Sequence, residues 1–495
     1  MNITIKIDGL ALRKILGVLI LLLLVGSVGL NASSISDYGL YTFSSGSTIS
    51  SSEVNYNFSE LERRIAHRNF SAIVDSSGYG THTSIKAAIA DIDAGTVLIT
   101  QGTYQLDGDN CEIDVPQGVN ILGEGYDTVI ELTDISCANV FNMLGYNVVS
   151  NLRFIGIATS NGNGVSVSGD YVTVRDCWFS KGMRGVYAYG AEHLRVLDNT
   201  IANMDEHGVL LSHGSNYGVI RGNKFSGGKR GVYLLEVQGS IVTGNYFSQH
   251  SARGVFVNRG STDNVIANNV FIDMTASSSA NAISIENDTP DNKEGSSVRN
   301  TIVGNVINMT SSSCIRLASA EAYPTEHTVI VGNVLYECGT HGVTGDDTTM
   351  HTTAVGNVIN LVDESPFHFN GSIGASIAGN VINDTGDGTV LYGELFTYGS
   401  NVSNNGGHNG TKDGLRLVGA ELAAAVTGNA FKDQTRHGIY AHSDSKYVAI
   451  SGNTSVENAN TDIKTASGST DCTVVSNVTS NGIEQSGSCA YGYNQ

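Results

Sequence analysis

Four basic side chains recur 23 residues apart, each directly before a glycine. The set is Arg184, His207, Arg230 and Arg253, with His341 and His437 in the same position later in the chain. A guanidinium presents a planar fork of donors that binds a carboxylate or a similar oxyanion through two hydrogen bonds. The recurrence predicts anion recognition, provided that the fold brings these side chains together.

A second set lies further along the same segments and consists of Tyr189, His213, Glu236 and Arg259. If the fold stacks the segments, both sets line one wall, and we predict that the eight residues bind an acidic or sulfated glycan. The alternative is an internal ladder in which the arginines pair with neighbouring carboxylates or carbonyl groups. Like charges stacked ~4.8 Å apart repel unless an anion lies beside them, so both interpretations require anions near the wall.

An acidic insertion follows this region and contains Glu286, Asp288, Asp291 and Glu294, close to Arg299. Calcium takes six to eight oxygen ligands, and carboxylates are the usual protein donors. The insertion is therefore the candidate Ca²⁺ site of the chain. A solvated acidic loop without a metal is the alternative.

The strongest regularity is a unit Gly-Asn-x-apolar that returns about every 24 residues. It begins at Gly222, Gly244, Gly304, Gly332, Gly356, Gly379, Gly428 and Gly452, and variants place another residue before Asn199, Asn269, Asn404 and Asn477. A second unit, glycine followed by alternating apolar residues, runs in phase with it. A fixed period with two or three short strands is typical of a solenoid, whose core is buried only when coils stack.

We therefore predict an all-β solenoid of about 13–14 coils over residues 75–495. Stacked coils place each asparagine above the next, so the amides hydrogen-bond along a column. An apolar stripe at Ile85, Ala88 and Ile89 predicts a helix within Thr83–Asp91 that caps the open end of the core.

Composition supports this fold, with 59 glycines, 4 prolines and 15% charged residues in 495. Turns must then come from glycine and asparagine. The formal charge of −20 repels phosphates and anionic lipid, so we expect no nucleic-acid partner. A neutral glycan, a cationic partner and a metal-bridged acidic glycan stay open.

Residues 1–34 predict a signal peptide or an N-terminal membrane anchor. Lys6, Arg13 and Lys14 precede an apolar run from Ile15 to Leu30. The run is shorter than the ~20 residues that cross a bilayer comfortably, but no strong cleavage motif follows it. Either way, we expect the rest of the chain to be extracellular, at a cell or virion surface, and to meet the membrane only through this segment.

Seven cysteines fit an oxidising compartment. The spacings suggest disulfides between neighbouring coils for Cys111 with Cys137, Cys314 with Cys338, and Cys472 with Cys489, which leaves Cys177 over. The alternative is seven buried thiols.

Several asparagines match the N-glycosylation pattern N-x-Ser/Thr. Asn453 and Asn477 belong to the repeat and are expected to be unmodified. The acceptor candidates off the repeat are Asn57, Asn69, Asn308, Asn370, Asn383, Asn401 and Asn409.

The stretch Tyr79–Leu132 resembles the beginning of the pectate-lyase-like superfamily. After the helix it reads Gly95-Thr-Val-Leu-Ile, Gly102-Thr-Tyr-Gln-Leu and Val115-Pro-Gln-Gly-Val. The later coils look like the β-helix repeats of carbohydrate-binding and sugar-hydrolysis domains. The resemblance implies a right-handed parallel β-helix over roughly 79–490, but lyases, hydrolases, epimerases, adhesins and viral tail spikes share this fold.

Hydrolytic members of the superfamily carry Asn-x-Asp, Asp-Asp, Gly-His-Gly and Arg-x-Lys on successive coils. Only Gly345-Asp346-Asp347 fits here, and the next coil reads Phe367-His368-Phe369. Two carboxylates at a suitable separation act as acid and base on a glycosidic bond, so Asp346 and Asp347 are the candidate catalytic pair. A solvated acidic turn is the alternative.

Upstream, Phe43–Leu61 resembles a segment of viral tail-fibre proteins. Ser50 and Glu53 form a capping box, and Val54, Phe58, Leu61 and Ile65 follow the spacing of a coiled-coil seam. We predict a linker and a short helical stalk over 35–74 that trimerises with help from the solenoid. A helix docked on the rod is the alternative.

Together these features favour an extracellular spike or adhesin, probable in form as a homotrimer, that holds a polysaccharide or surface glycan along its side wall. One alternative is a polysaccharide lyase or glycoside hydrolase with its site near Asp346 or the 286–294 loop. Another is a purely structural surface rod.

Overall fold

The computed structural model describes residues 70–495 and Asn55, except for residues 135, 443 and 487 and the ranges 157–161, 288–294, 320–322, 347–348, 386–390, 395–398 and 419–423. The predicted leader (1–34) and the predicted coiled-coil seam lie outside the described residues. Within the described part, we find no helix with the length and apolarity needed to cross a membrane.

A short helix, α1 (Ile85–Ala90), precedes the first full coil. Ser84 is its N-cap, and the Ser84 hydroxyl accepts a hydrogen bond from the Ala87 amide at 3.4 Å. Ile85 and Ile89 are buried. The helix covers the end of the core, as predicted, and a 3₁₀ turn at Gly108–Asn110 follows.

Three long parallel sheets form the rod. In the described residues, sheet A has 18 strands: Ala72–Val74, Gly95–Ile99, Val119–Gly123, Val148–Ser150, Thr173–Arg175, Arg195–Leu197, Val219–Arg221, Ile241–Thr243, Val265–Ala267, Thr301–Val303, Val329–Val331, Thr353–Val355, Ser376–Ala378, Asn401–Ser403, Ala425–Thr427, Ala449–Ser451, Thr470–Val475 and Ser488–Tyr491.

Sheet B has 16 strands in the same part of the chain: Gly102–Leu106, Thr128–Leu132, Arg153–Ile155, Trp178–Ser180, Thr200–Ala202, Lys224–Ser226, Tyr246–Ser248, Val270–Met274, Val306–Thr310, Val334–Cys338, Val358–Val362, Val381–Thr385, Gly406–His408, Ala430–Lys432, Thr454–Val456 and Val478–Thr479.

Sheet C also has 16 described strands: Ile113–Val115, Asn139–Met143, Asn163–Val167, Arg184–Tyr189, His207–Ser212, Arg230–Leu235, Arg253–Asn258, Asn281–Asn287, Ile315–Ser319, Val343–Gly345, Phe367–Asn370, Leu391–Glu394, Leu415–Val418, Ile439–Ala441, Ile463–Thr465 and Ile483–Gln485. Thr325–Glu326 and Thr349–Met350 form a small pair beside the rod.

Each coil contributes one strand to sheets A, B and C in turn, and each strand pairs in parallel with the strand one coil away. The chain is a right-handed parallel β-helix, the fold class that the sequence predicts. The described strands make about sixteen turns, more than the 13–14 coils predicted. The difference arises because the first coils lack the Gly-Asn unit that the prediction counted.

The interior is filled by columns of apolar side chains. Phe225, Phe247 and Phe271 are fully buried, and their ring centroids stack 4.8 and 4.7 Å apart. The glycines that follow the basic residues face these rings, since a Cβ on Gly231 would lie 2.6 Å from the Phe247 ring. This contact explains why the second repeat unit begins with glycine.

The repeat asparagines form one ladder from Asn199 to Asn494. Each side-chain amide donates to the side-chain oxygen of the asparagine one coil on, at 2.9–3.1 Å. One predicted member is wrong: the ladder passes through Asn405 rather than Asn404. Asn404 has a φ of 54° and takes the left-handed position that glycine fills in most other coils, which only a small polar residue tolerates well.

Three disulfides join neighbouring coils. They are Cys111–Cys137, Cys314–Cys338 and Cys472–Cys489, with Cα–Cα distances of 5.9, 5.4 and 4.5 Å, and these are the pairs that the spacing suggests. Cys177 is buried at the ladder position one coil before Asn199, whose side-chain oxygen accepts from the Cys177 amide at 2.9 Å. Burial raises the pKa of the Cys177 thiol to about 12, which makes it an inert core residue.

Candidate functional site

The outer face of sheet C carries the basic residues in vertical register. Arg184, His207, Arg230 and Arg253 each begin a strand, and each is the direct Cα partner of the next. Neighbouring strands lie ~4.8 Å apart, so the four positions rise over ~14 Å. The spacing of 23 residues is one coil, and the structure brings the predicted set together. We call these four residues the basic wall.

An apolar row lies beside the basic wall, three residues further along the same strands. It consists of Tyr187, Leu210, Tyr233 and Phe256. The guanidinium carbons of Arg184, Arg230 and Arg253 lie 5.0, 5.4 and 5.1 Å from the ring centroids of Tyr187, Tyr233 and Phe256. These distances fall within the ~6 Å range of cation–π attraction, so the rings hold the guanidinium groups against the sheet. Sequence reasoning missed this row, although its spacing of 23 was visible.

His207 is the neutral member of the basic wall. The residue is only 5% exposed. Burial, followed by the positive charges of Arg230 and Arg184, lowers the pKa of His207 to about 2. At neutral pH the wall therefore carries three guanidinium charges, with an uncharged imidazole between the first two.

Carboxylates compensate the two ends of the wall unequally. Glu286 Oε1 accepts hydrogen bonds from Nε and Nη2 of Arg253 at 3.2 and 2.9 Å. Arg184 Nη1 donates to Asn163 Oδ1 at 3.4 Å, and no described carboxylate lies within ion-pair distance of Arg184. The internal-ladder interpretation thus applies to Arg253, whereas the charge of Arg184 is not paired with a carboxylate in the described chain.

The middle of the wall contacts a third carboxylate. Glu206 Oε2 lies 3.5 Å from Nη1 of Arg230, and both Glu206 oxygens accept from Lys229 Nζ, at 2.9 and 3.0 Å. Two cations share one carboxylate here, so the cluster keeps a net positive charge.

An open groove of about 690 Å³ runs beside the wall, at the turns between sheets B and C. Its polar lining residues are Asn203, Asp205, Glu206, Lys229, Gln249, Ser251 and Ser279. This volume lies in the range of ligand-binding clefts, and the lining offers both donors and acceptors for hydroxyl groups. Sequence reasoning missed the groove because its residues come from several successive turns.

The second predicted set lies at the other end of the same strands. Tyr189 is the last residue of its strand, whereas His213, Glu236 and Arg259 have φ values of 51–57° and belong to the turns that follow. The rings of Tyr189 and His213 stack at 4.7 Å, and His213 Nε2 lies 3.8 Å from Glu236 Oε2. The structure thus brings this set together on the opposite edge of sheet C from the basic wall.

Asp346 lies on the same face of sheet C, several coils further along. Its Oδ2 accepts from Arg316 Nη2 at 3.0 Å, and both side chains are partly exposed. Asp347, the other member of the candidate catalytic pair, lies outside the described residues. Sequence reasoning missed Arg316, which precedes Asp346 by 30 residues.

Two histidines form a hydrogen-bonded pair near Asp346. The Ser365 amide donates to His341 Nδ1 at 3.3 Å, so the His341 proton is on Nε2 and points to His368 Nδ1 at 3.0 Å. Glu364 Oε2 lies 3.3 Å from His341 Nε2. Burial, followed by the charge of His368, lowers the pKa of His341 to about 4, so His341 is neutral at pH 7.

Of the predicted calcium ligands, the structure describes only Glu286, which binds Arg253 as given above. Asp288, Asp291 and Glu294 lie outside the described residues. Within the described part, no group of three or more His, Cys, Asp or Glu residues is arranged to hold a metal ion. The Arg299 that follows the insertion pairs with Asp263 through two hydrogen bonds, at 2.7 and 2.8 Å.

The described glycosylation candidates are off the asparagine ladder. Asn308, Asn370, Asn383 and Asn401 lie in strands, and Asn409 has a φ of 54°. Asn57 and Asn69 lie outside the described residues. Modification of these sites stays a prediction.

A stack of rings along the turns before sheet A was not expected from the sequence. Tyr146, Tyr171, His193 and Tyr217 stack with centroid distances of 5.0, 4.7 and 5.3 Å, and all four have left-handed φ values. A Cβ on Gly239, one coil on, would lie 2.8 Å from the Tyr217 ring. Because the ring faces cover one another, the stack stabilises the turns and offers mainly ring edges to a ligand.

These features define a right-handed parallel β-helix protein with a basic wall and an adjoining groove on one sheet. Residues 92–289 match the family described as periplasmic copper-binding protein (NosD). The match and the coil architecture confirm the resemblance to the pectate-lyase-like β-helix superfamily. No curated protein matches the sequence of the chain.

Several solved structures show a distant likeness. The catalytic domain of a GH87 α-1,3-glucanase in complex with nigerose is 16% identical, with a TM-score of 0.43 over 75% of this chain and 65% of that domain. The Dettilon tailspike protein is 16% identical, with a TM-score of 0.48 over 72% and 73%. The GH87 glucanase of Streptomyces thermodiastaticus is 14% identical, with a TM-score of 0.38 over 83% and 66%. The chain thus spans about two thirds of the length of the glucanase structures, and likeness at this level does not inform on activity.

Proposed function

We propose that this chain is an extracellular spike or adhesin that binds an acidic polysaccharide along the outer face of sheet C. The observation that carries the proposal is the register of Arg184, Arg230 and Arg253, three guanidinium groups stacked on one face of a chain with a net charge of −20. A concentration of positive charge on an acidic protein requires a local reason, and a polyanion supplies one.

The arrangement suits an extended anionic chain laid along the rod. Each guanidinium presents donors to carboxylate or sulfate oxygens, and the neighbouring rings limit the rotamer entropy lost on binding. The groove lined by Glu206, Lys229 and Gln249 offers partners for the hydroxyl groups of the same chain. Affinity would then come from several weak sites in line, as multivalency requires.

Binding of the full chain to a panel of polysaccharides tests this proposal. We expect polygalacturonate, chondroitin sulfate and heparin to bind at low ionic strength and neutral dextran to bind much more weakly, since salt screens surface charges. Arg184→Ala combined with Arg230→Ala should reduce the affinity for the bound polyanion at least tenfold.

A matched control separates the wall from net charge. Arg221→Ala removes an exposed arginine from sheet A, on another side of the rod, and should leave the affinity unchanged. Equal binding of dextran and the acidic polymers, or equal loss in the wall and control variants, would contradict the proposal.

A second candidate function is cleavage of an acidic polysaccharide near Asp346. The hydrogen-bonded His341–His368 pair and the Arg316–Asp346 ion pair favour it, because they place a proton-transfer group and a guanidinium on the same face of the sheet. The assay is the release of reducing ends or unsaturated products from acidic polymers, with Asp346→Asn as the inactive variant. Binding without any release of product would leave only the adhesin function.

We further propose that the protein acts at a cell or virion surface as a homotrimer. The export pattern at residues 1–34 and the heptad spacing of Val54, Phe58, Leu61 and Ile65 support this part. Sedimentation of the full chain gives the number of copies, and protease accessibility on intact cells or particles gives the location.

A further inference from the structure

The corner where sheets A and B meet at the Gly-Asn turns changes character along the rod. In a three-residue strand the middle side chain enters the core and the outer two face solvent, so each coil presents four outward side chains here. Over the six coils from Ile241 to Asn383, none of these outward residues is charged. We call this surface the uncharged corner.

The centre of the uncharged corner is a ridge of valines. The sequence around three successive turns is Val-Gly-Asn-Val, and the outward valines are Val303, Val306, Val331, Val334, Val355 and Val358, with Val381 on the next coil. Val306, Val334 and Val381 are 42, 39 and 49% exposed. Met309, Tyr336 and Leu361 extend the apolar surface along sheet B.

The strand preference of valine does not by itself account for this ridge. The same outward positions are Arg221 and Lys224 in an earlier coil, and Ser451 and Thr454 in a later one. Threonine has a β-propensity close to that of valine and is at ease in water. The repeat thus tolerates polar and charged residues here, and valine is confined to one stretch.

The size of the corner suits a protein interface. Six coils at ~4.8 Å span about 24 Å along the rod. The apolar side chains expose on the order of 500 Å², compared with the ~800 Å² per partner of a standard interface, whose remainder is a polar rim. Asp273 and Glu337 lie at the edge of the corner and would belong to that rim.

Two features point to a second copy of this chain as the partner. The valines repeat at the coil spacing, and a surface that interdigitates with them needs hollows at the same spacing over the same length, which another solenoid of this kind provides. Two chains of net charge −20 repel each other, so copies approach with least cost along a surface that carries no charge.

We infer that the uncharged corner is the surface through which copies of this chain pack side by side in the assembled protein. The inference rests on the oligomeric part of the proposed function and not on glycan binding. The corner lies on sheets A and B, so the contact leaves the basic wall on sheet C accessible. It also predicts that Asn308, an outward residue of the corner, carries no glycan.

The test compares full-length variants by light scattering and sedimentation velocity. Val306→Asp combined with Val334→Asp should shift the mass from that of the assembly to the 52.1 kDa of one chain. Thr454→Asp, an outward substitution of the same kind on sheet B beyond the corner, should leave the assembly intact. Circular dichroism melting checks that both proteins are folded.

A cysteine at the corner gives an independent readout if the double variant fails to fold. Val334→Cys should form a disulfide-linked dimer on mild oxidation, and Thr454→Cys should not. An assembly that survives the double aspartate variant without cross-linking would overturn the assignment of the corner while leaving the oligomer in place. A monomeric wild-type chain at micromolar concentration would overturn both.

Discussion

Arg253 and Glu286 form an ion pair between adjacent coils of sheet C, with 2.9 Å between Nη2 and Oε1. Both side chains are largely buried, at 17 and 9% exposure. A buried carboxylate and guanidinium depend on each other, because removing one leaves the other uncompensated in a medium of low dielectric constant. The pair therefore has two effects: it ties two coils together, and it neutralises one end of the basic wall.

The first prediction concerns the stability that this pair provides. Glu286→Gln should lower the free energy of unfolding by about 2 kcal/mol, since it strands the charge of Arg253 while keeping the shape of the side chain. Asp263→Asn is the matched control, because it breaks the exposed pair with Arg299 and should cost less than about 1 kcal/mol. Denaturant titration followed by circular dichroism measures both, and equal losses would show that burial of the Arg253 pair has no energetic consequence.

The second prediction concerns pH. The pKa of His207 falls from about 6.5 in an unfolded chain to about 2 in the fold, so the unfolded state binds an additional proton between these values. Stability from the neutral imidazole is complete above pH 6.5 and is lost as the pH falls, by up to about 1.4 kcal/mol per pH unit. The melting temperature should therefore drop on acidification from pH 7 to pH 4.

A substitution assigns part of that drop to His207. His207→Gln should flatten the dependence of the melting temperature on pH, whereas His213→Gln, which removes a partly exposed histidine, should change it little. His341 and His250, whose pKa values are both lowered to about 4, contribute in the same direction, so a residual slope is expected in the His207 variant. A slope identical to that of the wild type would contradict the buried, neutral state of His207.

The third prediction tests why glycine follows the basic residues. Gly231→Ala should lower the free energy of unfolding by about 2 kcal/mol, because the new methyl group overlaps the ring of Phe247. Gly406→Ala is the control, since a Cβ there meets no atom within 4 Å. The double variant Gly231→Ala with Phe247→Leu should be more stable than the sum of its two single changes predicts, which a thermal or denaturant cycle detects.

The fold was accessible from the sequence because the period of the chain equals one coil. Residues separated by one period become neighbours in every sheet, so the asparagine ladder and the register of the basic wall could be predicted. The error at Asn404 is informative, since two adjacent asparagines both fit the pattern and only backbone conformation separates the left-handed position from the ladder.

The site was less accessible because it depends on contacts between turns of irregular length. Glu206 reaches Arg230, and Glu286 reaches Arg253, from positions that follow no constant spacing. The neutrality of His207 follows from burial, which a sequence pattern does not report. The chemistry of the wall was thus predicted as to residue type, and its distribution of charge required coordinates.

The fourth prediction follows from that distribution and ranks the arginines of the basic wall. Arg184 has no described carboxylate within ion-pair distance, whereas Arg253 is bound by Glu286. If a polyanion lies along the wall, Arg184→Ala should weaken its binding about tenfold, or about 1.4 kcal/mol, and Arg253→Ala should weaken it much less. Glu286→Gln should instead strengthen binding, because it releases the Arg253 guanidinium to the ligand. Calorimetric titration with one acidic polysaccharide at two salt concentrations measures all three, and the differences should shrink at the higher salt concentration because exposed charges are screened. An effect of Arg253→Ala as large as that of Arg184→Ala would mean that the ligand displaces Glu286 from its arginine, and the order of the three variants distinguishes that outcome from a wall whose charges act only within the protein.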